Sequence, residues 1–189
     1  MKRIIVIICI AVSYSAMSPL MAVEKPVNDA GVFTIQAGTG FGLNTIAWSR
    51  YSPVYNPNFY IVPPVIISGN FGIFDLISVG FLVGYEGFGW NLSPQNYSVS
   101  FIKIGVRSDF HFNRWIKVSR LDIYAGVIFG VDIAAYSGGL PDNVAYRAPA
   151  YFLWNVQIGA RYYFTENFGF WAEIGCGYSI ISGGVIFKI

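Results

Sequence analysis

The sequence predicts an all-β chain: an eight-stranded antiparallel transmembrane up-and-down β-barrel that follows an N-terminal signal peptide. Three observations predict it. The 189 residues carry only 12% charged side chains at a mean hydropathy of +0.52, against roughly 25% charge in ordinary soluble domains. Too few ionic groups are present to cover an exterior that meets water everywhere. Segment after segment alternates an apolar face with one of glycine, polar groups and charges, the period of two that belongs to strands. Finally, the longest uncharged run, Tyr51 to Phe74, holds Pro53, Pro57, Pro63 and Pro64 and so cannot be a bilayer helix. Among structures that satisfy every backbone group inside lipid, a closed barrel remains.

The N-terminus reads as a removable leader. Lys2 and Arg3 precede the apolar run Ile4 to Val12, and a small and polar stretch follows up to Ala22, the order of a secretory signal peptide. Residues 1–22 are therefore expected to be removed, 23–30 to form a short periplasmic segment, and 31–189 to form the barrel. Loss of Lys2 and Arg3 leaves ten basic and ten acidic residues. A neutral chain gives nucleic acid no electrostatic footprint. Cys9 leaves with the leader, so Cys176 has no partner for an intramolecular disulfide.

The strands follow in order. In the first, Phe33, Ile35, Ala37, Thr39, Phe41 and Leu43 alternate with Thr34, Gln36, Gly38, Gly40 and Gly42. The second sets Val65, Ile67, Phe71 and Ile73 against Ser68, Asn70 and Gly72, and the third sets Ile77, Val79, Phe81, Val83 and Tyr85 against Ser78, Gly80, Gly84 and Glu86. The fourth opposes Ile102, Ile104, Val106, Phe110 and Phe112 to Lys103, Gly105, Arg107, Asp109 and His111. In the fifth, Ile123 to Ile133 alternates with Asp122, Tyr124, Gly126, Gly130 and Asp132. The stretch from Phe152 to Tyr178 supplies the sixth and seventh around Thr165-Glu166-Asn167, and Val185, Phe187 and Ile189 end the eighth. Segments of this length match the ~9–11 residues that cross a bilayer at a tilt.

Connections and aromatics orient the barrel. Residues 74–76, 113–120 and 165–167 are short or compact, whereas 44–62, 87–96 and 137–149 are longer and rich in Pro, Asn, Ser and Tyr, the pattern of inner turns and outer loops. The last outer connection, near residues 180–184, must be tight. Phe110, Phe112, Tyr162, Phe164, Phe168 and Phe187 gather near the inner ends of the apolar face, and Phe41, Tyr85, Phe152, Trp154 and Tyr178 near the outer ends. These are two interfacial girdles.

The apolar face is thus expected to meet lipid and the charged face to fill the lumen, which in an eight-stranded barrel is just wide enough for side chains. Glu86, Lys103, Arg107, Asp109, Asp122, Asp132, Arg161 and Glu173 form the expected lumen network, because a buried charge without a partner is costly. Arg161 and Glu173, on neighbouring strands, are expected to pair. Chemical motifs are scarce. Gly38 to Gly42 reads as small lumen-facing residues, not as a phosphate loop, since no helix follows. His111, the single histidine, reads as a hydrogen-bonded lumen residue, and Cys176 as a small filler on the lipid face. Arg114, Lys117 and Arg120 read as a solvated turn, with lipid phosphate or the cell wall within reach. No catalytic, cofactor or metal set is expected, and the chain is not expected to be an enzyme.

On the stretches "IKIGVRSDFHF", "LDIYAGVIFGVDI", "IGARYYFTENFGFWAEIGCGYS" and the terminal "GGVIFKI", the region from Gly31 to Ile189 resembles the small eight-stranded outer-membrane β-barrel proteins, OmpA/OmpX-like and often described as porin-like. The resemblance implies residence in the outer membrane of a Gram-negative cell envelope, contact with its lipids, and assembly by periplasmic chaperones and the barrel-insertion machinery. Phe187 and Ile189 stand where that machinery reads its terminal signal. The leading expectation for function is a structural or surface-interaction role through loops 44–62, 87–96 and 137–149, which would hold any external ligand, with at most a narrow pore. Two alternatives are a lipid-modifying enzyme on the same barrel, which needs a nucleophile and base near the outer rim, and a soluble lipocalin-like binder. The charges on the small-residue face argue against the second.

Overall fold

The computed structural model describes residues 30–46, 59–92, 95–116, 118–138 and 149–189. Eight strands run β1 (Phe33–Phe41), β2 (Phe59–Phe74), β3 (Ile77–Leu92), β4 (Gln95–His111), β5 (Leu121–Ser137), β6 (Ala150–Tyr163), β7 (Phe168–Gly177) and β8 (Ile181–Lys188). Each pairs antiparallel with the next, and β1 closes on β8 from Thr34 opposite Lys188 to Phe41 opposite Ile181. The result is a closed up-and-down barrel without a free sheet edge along the paired length. No helix among the described residues is long and apolar enough to cross a membrane. The leader and the segment expected over 1–22 and 23–30 fall outside the described residues, except for Ala30 in a turn.

The alternation decides which way each side chain points. Outward stand Val106, Ile158, Ile174 and Phe152 at 66%, 65%, 69% and 72% exposure, whereas Arg161 and Tyr124 on the other face are 1% and 0% exposed. Glycine is what lets the inward face close. Across the pairs, Gly80 faces Arg107, Gly126 faces Asp109, Gly84 faces Lys103 and Gly159 faces both Tyr124 and Glu173. A methyl group on Gly159 would strike the Tyr124 ring, and one on Gly126 the Asp109 carboxylate. The sequence sets one large and one absent side chain at each of these levels, the complementarity that packs a narrow barrel.

The wall departs from the expected connections in three places. Residues 87–92 and 95–96, expected in an outer loop, continue β3 and β4, with Leu92 opposite Gln95. Their glycines and asparagines carry a turn signal, but Phe88 and Val99 face each other across the pair and are buried with Phe101 and Ala134. Burial overrides the local propensity. Residues 59–62, expected in the first outer loop, begin β2, which shifts register between Val62 and Val65 at the two prolines, where no backbone N–H is available to the ladder. The chain between β7 and β8 turns at 178–180, so residues 181–184 lie in β8. Just past β1, residues 43–46 form a single helical turn that folds inward: Asn44 and Thr45 bond Glu86 inside the barrel. Most of loop 137–149 lies outside the described residues.

Candidate functional site

The chemistry of this chain is inside the barrel, and it falls into two ionic clusters. The first is near the outer end. Lys103 on β4 places Nζ 2.5 Å from Glu86 Oε1 on β3 and 3.4 Å from Asp132 Oδ2 on β5. Asn44 Nδ2 donates to both carboxylates at 3.0 Å, so the inward turn after β1 cross-links three strands. All three charged side chains are almost fully buried.

The second cluster, toward the inner turns, is a chain of alternating charge. Glu173 on β7 accepts from Arg107 Nη2 at 2.6 Å, and Arg107 Nε donates to Asp109 Oδ2 at 2.8 Å. Asp109 Oδ2 also accepts from Arg161 Nη2 at 2.9 Å, while Arg161 Nη1 reaches Asp122 Oδ2 at 3.1 Å. Asp122 then takes His111 Nδ1 at 2.8 Å, and His111 Nε2 lies 2.9 Å from Ser78 Oγ. A carboxylate has no proton to give, so Nδ1 carries the hydrogen. Each charge lies between opposite charges or hydrogen-bonding partners, the condition for burying it without a large penalty. Ser182 on β8 bonds Glu173 at 3.4 Å, and the chain therefore ties β3 through β8 together across the lumen.

Arg161 and Glu173 do not pair. The register sets Glu173 opposite Gly159 and Arg161 opposite Trp171; Glu173 reaches Arg107 across the barrel, while Arg161 pairs with Asp122, directly opposite it on its other neighbour β5, and with Asp109 on β4. Between the two guanidiniums lies Tyr124, which sequence reasoning placed on the inward face but gave no role. Arg161 Cζ is 4.1 Å and Arg107 Cζ 5.3 Å from its ring centroid, and its hydroxyl donates to Glu173 Oε1 at 2.6 Å. The available signal was position: most aromatics of the alternating segments stand on the apolar face, whereas Tyr124, Tyr163 and Trp171 stand on the charged one.

A third component separates the clusters. Ile66, Leu82, Ile128 and Leu153 point inward from β2, β3, β5 and β6 and pack together with Tyr178 against them. The alternation of polar inward residues passes over these four positions. Tyr178, expected on the lipid face at the outer girdle, turns inward because β7 ends at Gly177, whose φ of 137° lies in the region that favours glycine. Tyr163, Trp171 and Ile186 fill the inner end, and Phe88, Val99, Phe101 and Ala134 the outer.

Ser78, His111 and Asp122 have the hydrogen-bond order of a hydrolytic triad. Their setting is different. Ser78 and His111 are 0% exposed, the Asp122 carboxylate is shared with Arg161, and His111 lies at the inner-turn end, away from the outer rim. The arrangement holds a buried imidazole in one tautomer. Among the described residues no group of His, Cys, Asp and Glu is placed to hold a metal ion. Cys176 is exposed on the outward face, while Phe187 and Ile189 point outward from the terminal strand at the closing seam, where Ile189 N donates to Phe33 O at 2.8 Å.

No protein-family model and no curated protein matches the chain. Solved structures do. The N-terminal β-barrel domain of Pseudomonas aeruginosa OprF is 14% identical, with a TM-score of 0.48 over 85% of this chain and 98% of that one. Ail, the attachment invasion locus protein of Yersinia pestis, solved with the heparin analogue sucrose octasulfate, is 9% identical with a TM-score of 0.47, over 85% and 99%. The outer membrane protein OprG from Pseudomonas aeruginosa is 9% identical with a TM-score of 0.47, over 87% and 99%. The likeness is one of fold.

Proposed function

We propose that this chain is an integral outer-membrane β-barrel whose interior is filled by side chains, that it acts as a structural or surface-contact protein through its outer loops, and that it passes at most small solutes through a narrow pore. One observation carries the reading: the barrel is inverted relative to a soluble protein. Its outward face is a continuous apolar wall, while buried, paired charges occupy its interior. Water cannot be the solvent of such a wall without a large cost in exposed apolar surface, and a closed barrel is one of two structures that lipid tolerates. A soluble lipocalin-like binder needs the reverse arrangement.

The remaining parts of the reading follow from that location. Residues 1–22 serve as the export signal and are removed, 23–30 precede the wall in the periplasm, and the exposed Phe187 on β8 and Ile189 just past it serve as the terminal signal for barrel insertion after chaperone delivery. The eight buried charges act as a lumen lock rather than a catalytic site, and the protein is not an enzyme. Refolding of the mature chain into detergent micelles and planar bilayers tests this. Heat-modifiable gel mobility with little or no stable conductance is expected. A large stable conductance overturns the filled lumen, and a folded, monodisperse protein without detergent overturns the membrane location.

A further inference from the structure

We propose that the described residues of the β4–β5 turn, 112–116 and 118–120, are a binding site for the headgroups of anionic phospholipids in the leaflet at the inner-turn end. The proposal rests on the membrane reading above and adds a partner and a place to it. Charge is distributed unevenly over the three inner turns. The β2–β3 turn exposes Asp75 and the β6–β7 turn exposes Glu166, whereas the β4–β5 turn exposes Arg114 and Arg120. Neither arginine takes part in an ion pair among the described residues, in a molecule whose interior charges are all paired. Two guanidiniums on one turn, without an ion-pair partner among the described residues and with no acid beside them in the turn, are a fork for phosphate oxygens.

The same turn carries an apolar anchor at the matching height. Trp115 is 61% and Val118 50% exposed. The Trp115 ring lies 6.0 Å from Phe110, on the outward side of β4 at its inner end, and 6.2 Å from Phe112 just past that end. The indole therefore extends the aromatic girdle beyond the end of the strand, the depth at which tryptophan meets the headgroup region. The turn is built, not loose: Trp115 N and Ile116 N donate to Phe112 O at 2.9 and 3.1 Å, Leu121 N to Val118 O at 3.1 Å, and Tyr163 N on β6 to Arg120 O at 2.9 Å. Indole, valine and two arginines are thus held together where acyl chain gives way to phosphate. Basic residues at such a level attract acidic lipid.

The test places Trp115 as the one tryptophan, with the other four changed to Phe, and refolds the chain into phosphatidylcholine vesicles that contain an equal minor fraction of brominated phosphatidylglycerol or brominated phosphatidylcholine. Trp115 is expected to be quenched more strongly by the anionic lipid, with a local enrichment of roughly fivefold, about what one basic residue confers at an anionic surface. Changing Arg114 and Arg120 together to Gln should abolish the excess and leave heat-modifiable mobility intact. Equal quenching by both lipids, or an excess that survives in the double variant, overturns the site. If the four Phe changes prevent folding, native mass spectrometry of the wild-type and double-Gln chains replaces the optical readout. Preferential retention of phosphatidylglycerol by the wild type alone supports the proposal, and equal retention overturns it. A wild-type chain that never becomes heat-modifiable in vesicles instead overturns the membrane reading on which the site depends.

Discussion

Tyr124 shows how one side chain gives several charges a common support. Its ring lies under Arg161 and beside Arg107, and its hydroxyl bonds the carboxylate that Arg107 also holds. Tyr124→Phe removes only the hydrogen bond to a charged acceptor and should cost about 1.5–3 kcal/mol. Tyr124→Ala also removes the ring, opens a cavity opposite Gly159 and should cost more, about 3–5 kcal/mol. Urea unfolding of the refolded barrel in vesicles measures both, and equal losses would show that the ring contributes nothing as a platform. Pairings across the lumen make a second prediction at this scale. Arg107→Ala and Glu173→Ala should be strongly non-additive, by roughly 1–3 kcal/mol, because the two groups touch, whereas Arg161→Ala and Glu173→Ala should couple less, through Tyr124 and through Asp109 and Arg107. A larger coupling for Arg161 with Glu173 than for Arg107 with Glu173 would show that the charge chain runs in a different order.

At the scale of the strand, the two faces obey opposite rules. Ala172 on β7 points outward among apolar neighbours, so Ala172→Arg places a charge in the hydrocarbon zone and should cost about 2–4 kcal/mol in the same unfolding assay. Gly159→Val on the inward face of β6 should also destabilise, by about 1–3 kcal/mol, but through collision with Tyr124 rather than through charge. Relief of that loss in the Tyr124→Ala background, and no relief of Ala172→Arg, separates the two causes. The strands were legible from alternation because lipid and lumen impose a period of two on every segment. What alternation could not supply is whatever depends on the third dimension. Residues 87–92 read as loop because Gly and Asn dominate locally, yet Phe88 and Val99 bury each other across the hairpin. The short β6–β7 turn offers Glu173 as the partner of Arg161, but Asp122 lies directly opposite Arg161 on its other neighbour, β5, and Asp109 one strand further on. Ile66, Leu82, Ile128 and Leu153 interrupt the polar face on four separate strands, where the sequence reading gave them no role, and the fold makes them neighbours.

For the whole molecule, the order of layers along the barrel axis decides whether anything passes through. Lys103 and Arg107, which anchor the two ionic clusters, are four residues apart on β4, about 13 Å at a strand rise of 3.3 Å per residue. Had polar groups filled that interval, ordered water and ions would have a continuous path from one cluster to the other. Instead Ile66, Leu82, Ile128 and Leu153, closed over by Tyr178, occupy it. A hydrophobic constriction of this kind holds back ions by refusing to wet, while the ionic clusters on either side brace the wall around it. The barrier is therefore assigned to the apolar layer and the rigidity to the charges, and the two roles can be separated. Replacing Leu82 and Leu153 together with Ser leaves every ion pair in place but gives the layer hydroxyls and space for water. In planar bilayers the wild-type barrel should show little or no stable conductance, and the double variant should show small discrete steps at unchanged heat-modifiable mobility. Conversely, Glu86→Gln, which weakens the outer cluster, should lower the unfolding midpoint without raising conductance. If Glu86→Gln conducts and the double serine variant does not, the charges are the seal and the apolar layer is only filling.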